Sequence, residues 1–248
     1  MAKQVVSDAA RKRRRPTKQG AVLSEQLIME TALRLLRHHG SAGLSVRRLG
    51  AALGADPSTL YRYFRGIDDL TLAIADELIG RSFHGWEPTG DWWRDLRSLG
   101  IRSHAAYLDH PQAAVLSASR VSGRTSEKAA VDTILGILRE AGFPDGAAVR
   151  LYRAFVDQML AFAALDGAEL ALPEDVRESD RQLWRSSYAQ LPAETHPHIA
   201  ATAGLLVELS DRSAYPDALE LLLDGARALL HRLDAKRESA PSCPSAGS

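Results

Sequence analysis

Apolar residues recur every three or four positions through nearly the whole chain, and no stretch alternates apolar with polar as a half-buried strand does. This period confines the chain to helices, and glycine and proline mark where they stop. Leu23, Leu27, Ile28, Leu35 and Leu36 stripe a first helix with Ser24 at its N-cap. Gly40 and Gly43 bracket a break. Ser45 caps a short second helix whose inward residues are Val46, Leu49 and Leu53. Gly54 predicts a tight turn, and Asp56-Pro57 supplies an N-cap followed by a proline at the first helical position. The third helix is expected over Pro57 to about Phe64, burying Leu60 and Phe64 and leaving Ser58, Tyr61 and Arg62 on the opposite face. Gly66 ends it, and Asp68 opens a fourth helix striped by Leu70, Ile74 and Leu78.

Beyond the break at Pro88 and Gly90, helical stretches are expected at about 91–109, 112–120, 127–141, 146–165, 174–190, 197–210 and 216–233, with a polar connection over 166–175. Residues 1–20 read as a disordered basic arm and 235–248, ending in Ser, Ala, Pro and Gly, as a disordered tail. The fold class is therefore all-α. A three-helix domain over 21–67 precedes a larger helical domain over 68–234, whose first helix, 68–85, links the two.

Charge separates these parts. The whole chain has 31 basic and 31 acidic residues, yet residues 1–65 hold thirteen basic and four acidic side chains, a net +9 balanced by −9 in the remainder. A basic first quarter points to a polyanion. No apolar run has the roughly 18–20 residues of a membrane span, and no apolar segment follows the basic start as in a secretory signal. The single cysteine, Cys243, excludes a disulfide framework and a cysteine-based zinc site, so a cytoplasmic protein without membrane contact is expected. The chain has no GxSxG, GxGxxG, GxxxxGK[ST] or HExxH, and His38-His39 and His196-Pro197-His198 lack the spacing of a helical zinc pair. No catalytic residue, metal or cofactor is assigned.

Two short helices around a glycine turn, packed on a longer first helix, form a helix-turn-helix. Hydroxyl and guanidinium groups on one face of the second are what phosphate positioning and groove reading use. Surface Tyr and Arg also occur on short helices of any helical protein; the basic arm and the charge split favour double-stranded DNA. The stretch from Gly43 to Phe64, GLSVRRLGAALGADPSTLYRYF, resembles the N-terminal domain of the TetR family of transcriptional regulators, and the similarity continues through Asp69-Leu70. Asp91–Arg97 and Tyr215–Gly225 resemble helix starts in the ligand-binding domain of the family's tetracycline-repressor class.

The resemblance implies that Ser45 caps its helix and holds a phosphate, that Arg47 reads a guanine in the major groove, and that Arg48 lies beside it at the DNA. Ser58, Thr59, Tyr61, Arg62 and Tyr63 would meet bases and phosphates. The family's phosphate-gripping lysine at the start of the fourth helix is replaced by Ile67, with Arg65 or the basic arm in its stead. Phe83, His104, Ser117 and Arg120 match ligand-contacting positions in a pocket among the fourth to eighth helices. Two of these positions, Phe83 and Ser117, hold histidine in the metal-tetracycline site; neither side chain replaces imidazole at a metal, so an organic effector without magnesium is expected.

The 146–165 helix (Leu151, Tyr152, Phe155, Val156, Met159, Leu160, Phe162) and the last helix (Leu219, Leu221, Leu222, Leu223, Ala226, Leu229, Leu230, Leu233) are apolar around too much of their circumference for one buried face. A single-chain core or an intersubunit four-helix bundle satisfies that pattern, and the resemblance implies the bundle of a homodimer. The implied function is a repressor on a palindromic operator, released by a small organic molecule. A ligand-independent architectural DNA-binding protein is the alternative.

Overall fold

A computed structural model describes residues 23–239. The expected basic arm, 1–20, lies outside the described residues. Among the described residues the chain is helical throughout, in the order α1 (Glu25–His39), a 3-10 turn (Ser41–Gly43), α2 (Val46–Leu53), α3 (Pro57–Leu60), α4 (Ile67–Phe83), α5 (Trp92–Leu108), α6 (Pro111–Ser117), α7 (Thr125–Glu140), α8 (Asp145–Leu170), α9 (Glu174–Ala189), α10 (Pro197–Leu209) and α11 (Tyr215–Ser239). The chain divides into two compact units between Ile74 and Ala75, inside α4.

In the first unit the caps form where the side chains allow. Ser24 Oγ accepts from the Leu27 amide and Ser45 Oγ from the Arg48 amide, both at 3.2 Å, supplying acceptors that the first helical turn lacks. Gly54 takes the left-handed conformation (φ 60°, ψ 31°) that ends α2. Gly50 lets the chain fold back so closely that a Cβ there would stand 2.8 Å from the Ala55 carbonyl oxygen. Asp56 Oδ1 accepts from the Ser58 amide at 2.8 Å, with Pro57 at the helix start. Ile28, Leu36, Leu49, Leu60, Phe64 and Leu70 close over one another in the core.

The third helix is shorter than its periodicity predicts. After Leu60 the chain tightens into three-residue hydrogen bonds, Arg62 N to Thr59 O and Tyr63 N to Leu60 O, while Phe64 still reaches the core. The Tyr63 hydroxyl donates to the Leu23 carbonyl at 2.8 Å, pinning this turn to the segment that precedes α1.

In the second unit α5, α6, α7 and α11 pack around α8, while α9 and α10 pair with each other and bury no residue. Two helices outrun the sequence reading. Residues 166–170 continue α8 because Gly167 fits against α6, where a Cβ would lie 3.2 Å from Ala114 Cβ and the Pro111 oxygen. Residues 235–239 belong to α11, held by Arg237, which donates to the Gly142 carbonyl and pairs with Asp234. The expected tail is therefore helical to Ser239, and 240–248 lie outside the described residues. Gly100 marks the tightest contact of α5 with α11, since a Cβ there would lie 2.7 Å from both Leu219 Cδ2 and the Tyr215 hydroxyl.

Candidate functional site

The helix-turn-helix leaves a polar surface in water. Arg47, Arg48, Ser58, Tyr61 and Arg62 are exposed, Thr59 is half-buried, and Tyr61 is 55% exposed, unusual for a large aromatic side chain. Arg47 and Arg62 form no ion pair among the described residues, so both guanidinium groups are available to an external anion. Arg48 donates to the Ala42 carbonyl at 3.0 Å, which steadies its side chain beside the cap made by Ser45. The Ser58 hydroxyl and amide hold the Asp56 carboxyl below the usual carboxylate range. Tyr63 is set apart, half-buried with its hydroxyl on Leu23. Ile67 is the first residue of α4; beside it the Arg65 amide donates to Asp69 at 2.9 Å, leaving the Arg65 side chain exposed.

The second unit holds a cavity of about 70 Å³ that opens to solvent. Ile79, Ser82 and Phe83 come from the end of α4, Ser103 and Tyr107 from α5, and Glu127, Val131 and Ile134 from α7. Tyr152, Phe155, Val156, Met159 and Leu160 supply the α8 wall, and Arg120 comes from the loop after α6. The lining is mostly apolar and aromatic, with a few polar groups, as in small-molecule sites. Burial and then the nearby Glu127 carboxylate push the Tyr107 hydroxyl up to about 12, and the same two causes raise Tyr152. At physiological pH both phenols are therefore neutral and can donate hydrogen bonds. Trp86 sits edge-on to Phe83, ring centroids 6.1 Å apart.

Of the four ligand positions implied by resemblance, Phe83 and Arg120 line this cavity; His104 and Ser117 do not. His104 Nε2 lies 2.8 Å from Asp166 Oδ2, and its ring stacks on Tyr215 at 4.5 Å. It ties α5 to α8 and to the start of α11. Ser117 is buried and donates to the Ala113 carbonyl of its own helix at 2.7 Å. Tyr107, Glu127 and Tyr152 are cavity residues that the sequence reading missed. The signal for one wall was present: Tyr152, Phe155, Val156 and Met159 follow the i, i+3, i+4, i+7 pattern of a single helical face. The apolar pattern around this helix fits a single-chain core or a subunit bundle, and in the structure this one face lines the cavity. On α11, Leu219 and Leu223 are fully buried within the chain, while Leu221 is 76% exposed.

Comparison with known proteins agrees with this architecture in both units. Residues 28–74 match the family "Bacterial regulatory proteins, tetR family", and residues 85–230 match "Tetracyclin repressor-like, C-terminal domain". The chain is 27% identical to the HTH-type transcriptional repressor DrrR1 of Streptomyces coeruleorubidus over 225 residues, covering 86% of this chain and 80% of that protein. A crystal structure of a possible TetR family transcriptional regulator from Streptomyces coelicolor A3(2) superposes with a TM-score of 0.68 at 30% identity, covering 83% of this chain and all of that one. The fold is also that of the S. coelicolor TetR family protein ActR, solved in complex with actinorhodin (TM-score 0.73, 21% identity, 83% of this chain and 96% of that one). With an exposed helix-turn-helix surface, a separate unit hollowed by a cavity and matches to both parts, the chain belongs to the TetR family of DNA-binding transcriptional regulators.

Proposed function

We propose that the protein is a homodimeric repressor that binds a palindromic operator and is released by a small organic molecule. The observation that carries this reading is the cavity walled by Ile79, Ser82 and Phe83 at the end of α4, the helix that begins beside the DNA-reading surface and runs through both units. A ligand needs only to bind the DNA-incompetent state more tightly to shift the population. Such a cavity has no use in a purely architectural DNA-binding protein.

Arg47, Arg48, Ser58, Thr59, Tyr61 and Arg62 are the proposed DNA contacts, with Ser45 holding a phosphate as well as capping α2. Tyr63 acts in this scheme mainly through the turn that its hydroxyl anchors. Two reading heads at fixed spacing require a dimer, and Leu165 of α8 (66% exposed) and Leu221 of α11 are apolar side chains that a partner subunit would cover. The effector is a substantially apolar, hydrogen-bonding molecule. Arg120 favours an acceptor such as a phenolate or carboxylate, and the Tyr107 and Tyr152 hydroxyls favour further acceptors. Phe83 offers no metal donor, and this carries the reading of an effector that needs no magnesium. ActR, with the same fold, has been solved with actinorhodin bound; an aromatic effector of that general kind suits the lining here.

The test begins with a duplex selected from random DNA by the purified protein, footprinted and then challenged with aromatic natural products, with and without EDTA. Protection of one short palindrome by a dimer, lost on adding a compound whether or not EDTA is present, is expected. Sequence-indifferent coating would overturn the operator reading, and strict dependence of release on magnesium would overturn the metal-free effector.

A further inference from the structure

The N-terminus of α7 has no cap of its own. Its N-cap residue, Arg124, offers no acceptor to the first turn. The acceptor comes from another helix: Asp76 of α4 accepts from the Glu127 amide through Oδ1 at 2.9 Å and from the Ser126 amide through Oδ2 at 3.3 Å. These are the amides that a capping side chain normally satisfies. One further hydroxyl stands between two carboxylates, since Ser122 Oγ lies 2.7 Å from Glu127 Oε2 and 3.2 Å from Asp76 Oδ1. Glu127 also accepts from the Gly123 amide. One turn along α4, Gly80 brings the two helices so close that a Cβ would lie 3.1 Å from Ser126 Oγ.

The same α7 residue, Glu127, lines the cavity, followed along the helix by Val131 and Ile134. The polar wall of the cavity and α4 therefore share one hydrogen-bonded cluster. We propose that Asp76 is the residue that couples occupancy of the cavity to α4, a step that rests on the ligand-response reading above. A ligand that displaces Glu127 or the first turn of α7 removes the donors from Asp76. Its half-buried carboxylate then loses both amide donors and keeps the Ser122 hydroxyl, an under-satisfied state that is costly, and α4 relieves that cost by shifting until Asp76 is better hydrated. The displacement thus acquires the differential free energy between two states that any ligand-driven change requires.

The test needs neither the natural effector nor the operator. In the full-length chain with Cys243→Ser, Val156→Cys places a thiol on the α8 wall of the cavity, and monobromobimane attached there serves as a tethered occupant. Amide hydrogen exchange is then compared with and without the label. With Asp76 in place, exchange over 67–74 is expected to change by about fivefold or more, the lower range of ordinary coupling. With Asp76→Asn, which turns an NH₂ or a single remaining oxygen toward the α7 amides, the change over 67–74 is expected to fall below about twofold, while the label still alters exchange over 152–160. Arg124→Ser gives α7 its own capping hydroxyl and makes Asp76 redundant while leaving the Asp76 carboxylate in place, so it tests the same link by a second route. The same loss of coupling is expected. Equal responses over 67–74 in all three backgrounds would overturn the role of Asp76 while leaving ligand response intact. A label without effect on 67–74 even when Asp76 and Arg124 are native would overturn both.

Discussion

The two units differ in what their apolar residues surround. In the first, Ile28, Leu36, Leu49, Leu60 and Leu70 are at most 3% exposed and fill a small core, with guanidinium and hydroxyl groups outside it. The second has a filled core too, at Leu96, Leu99, Leu138, Leu219 and Leu223, but one face of α8 (Tyr152, Phe155, Val156, Met159 and Leu160) also walls an open cavity. Reading a DNA edge requires groups held rigidly at their positions; sensing a molecule requires space that can be filled. A filled core loses stability whenever a side chain shrinks, while a cavity wall already lacks neighbours on one side.

The largest expected effect tests that contrast. Leu36→Ala in the first unit should cost about 2–5 kcal/mol, whereas Leu160→Ala on the cavity wall should cost at or below about 2 kcal/mol in the ligand-free protein. Urea unfolding followed in each variant checks it, and equal losses would break the comparison. An alkaline arm concerns the second unit, where burial raises the cavity's Tyr107 and also Tyr215 outside it. The Tyr107 hydroxyl is raised in the folded protein to about 12 from its ordinary 10.0. The folded state therefore keeps its proton where the unfolded chain loses it, and the contribution to stability, full below pH 10, is lost between pH 10 and about 12. Tyr107→Phe should flatten that decline by up to roughly 2–3 kcal/mol at its upper end. A pH-stability curve unchanged by the substitution would place the alkaline sensitivity elsewhere.

On the reading surface the effects fall on binding. Arg47→Ala should weaken operator affinity by about 1–3 kcal/mol, concentrated at one base position, with the thermal midpoint unchanged. Equal weakening on every sequence would reduce the arginine to a phosphate contact. Ser45→Ala should cost about 1 kcal/mol of stability through its lost cap and weaken DNA binding only modestly. The smallest effect is at acid pH. Asp56 has its carboxyl lowered, so its cap contributes fully above the unfolded pKa and is lost as pH falls through the folded one. Asp56→Asn should remove that slight acid dependence; a steeper acid transition would contradict the assignment.

The reading head was largely legible because its determinants are local. Ser24, Ser45 and Asp56 each accept from an amide two or three residues on, and Gly54 alone supplies the positive φ of its turn. The end of α3 was not, because the tightening after Leu60 coincides with a hydrogen bond between residues forty apart, Tyr63 and Leu23. In the second unit the helices were legible and their faces were not. The α8 stripe that includes Phe155 satisfies a subunit bundle and a cavity wall equally well, since both demand an apolar face. Likewise His104 and Phe83 both occupy ligand positions by resemblance, but Asp166 and Tyr215 hold His104 away from the cavity lining.

The sequence by itself determined the all-helical class, the capped three-helix head, the sign of its charge and the identity of the exposed arginines. Each follows from residue spacing, short-range hydrogen bonding or simple composition. Only the tertiary structure decided how far α8 and α11 run, which α8 face meets empty space, and that the cap of α7 comes from Asp76 on α4. Those outcomes depend on which side chain arrives from another helix. Helical periodicity specifies that a face is apolar or that an amide lacks an acceptor, and packing alone specifies what meets it.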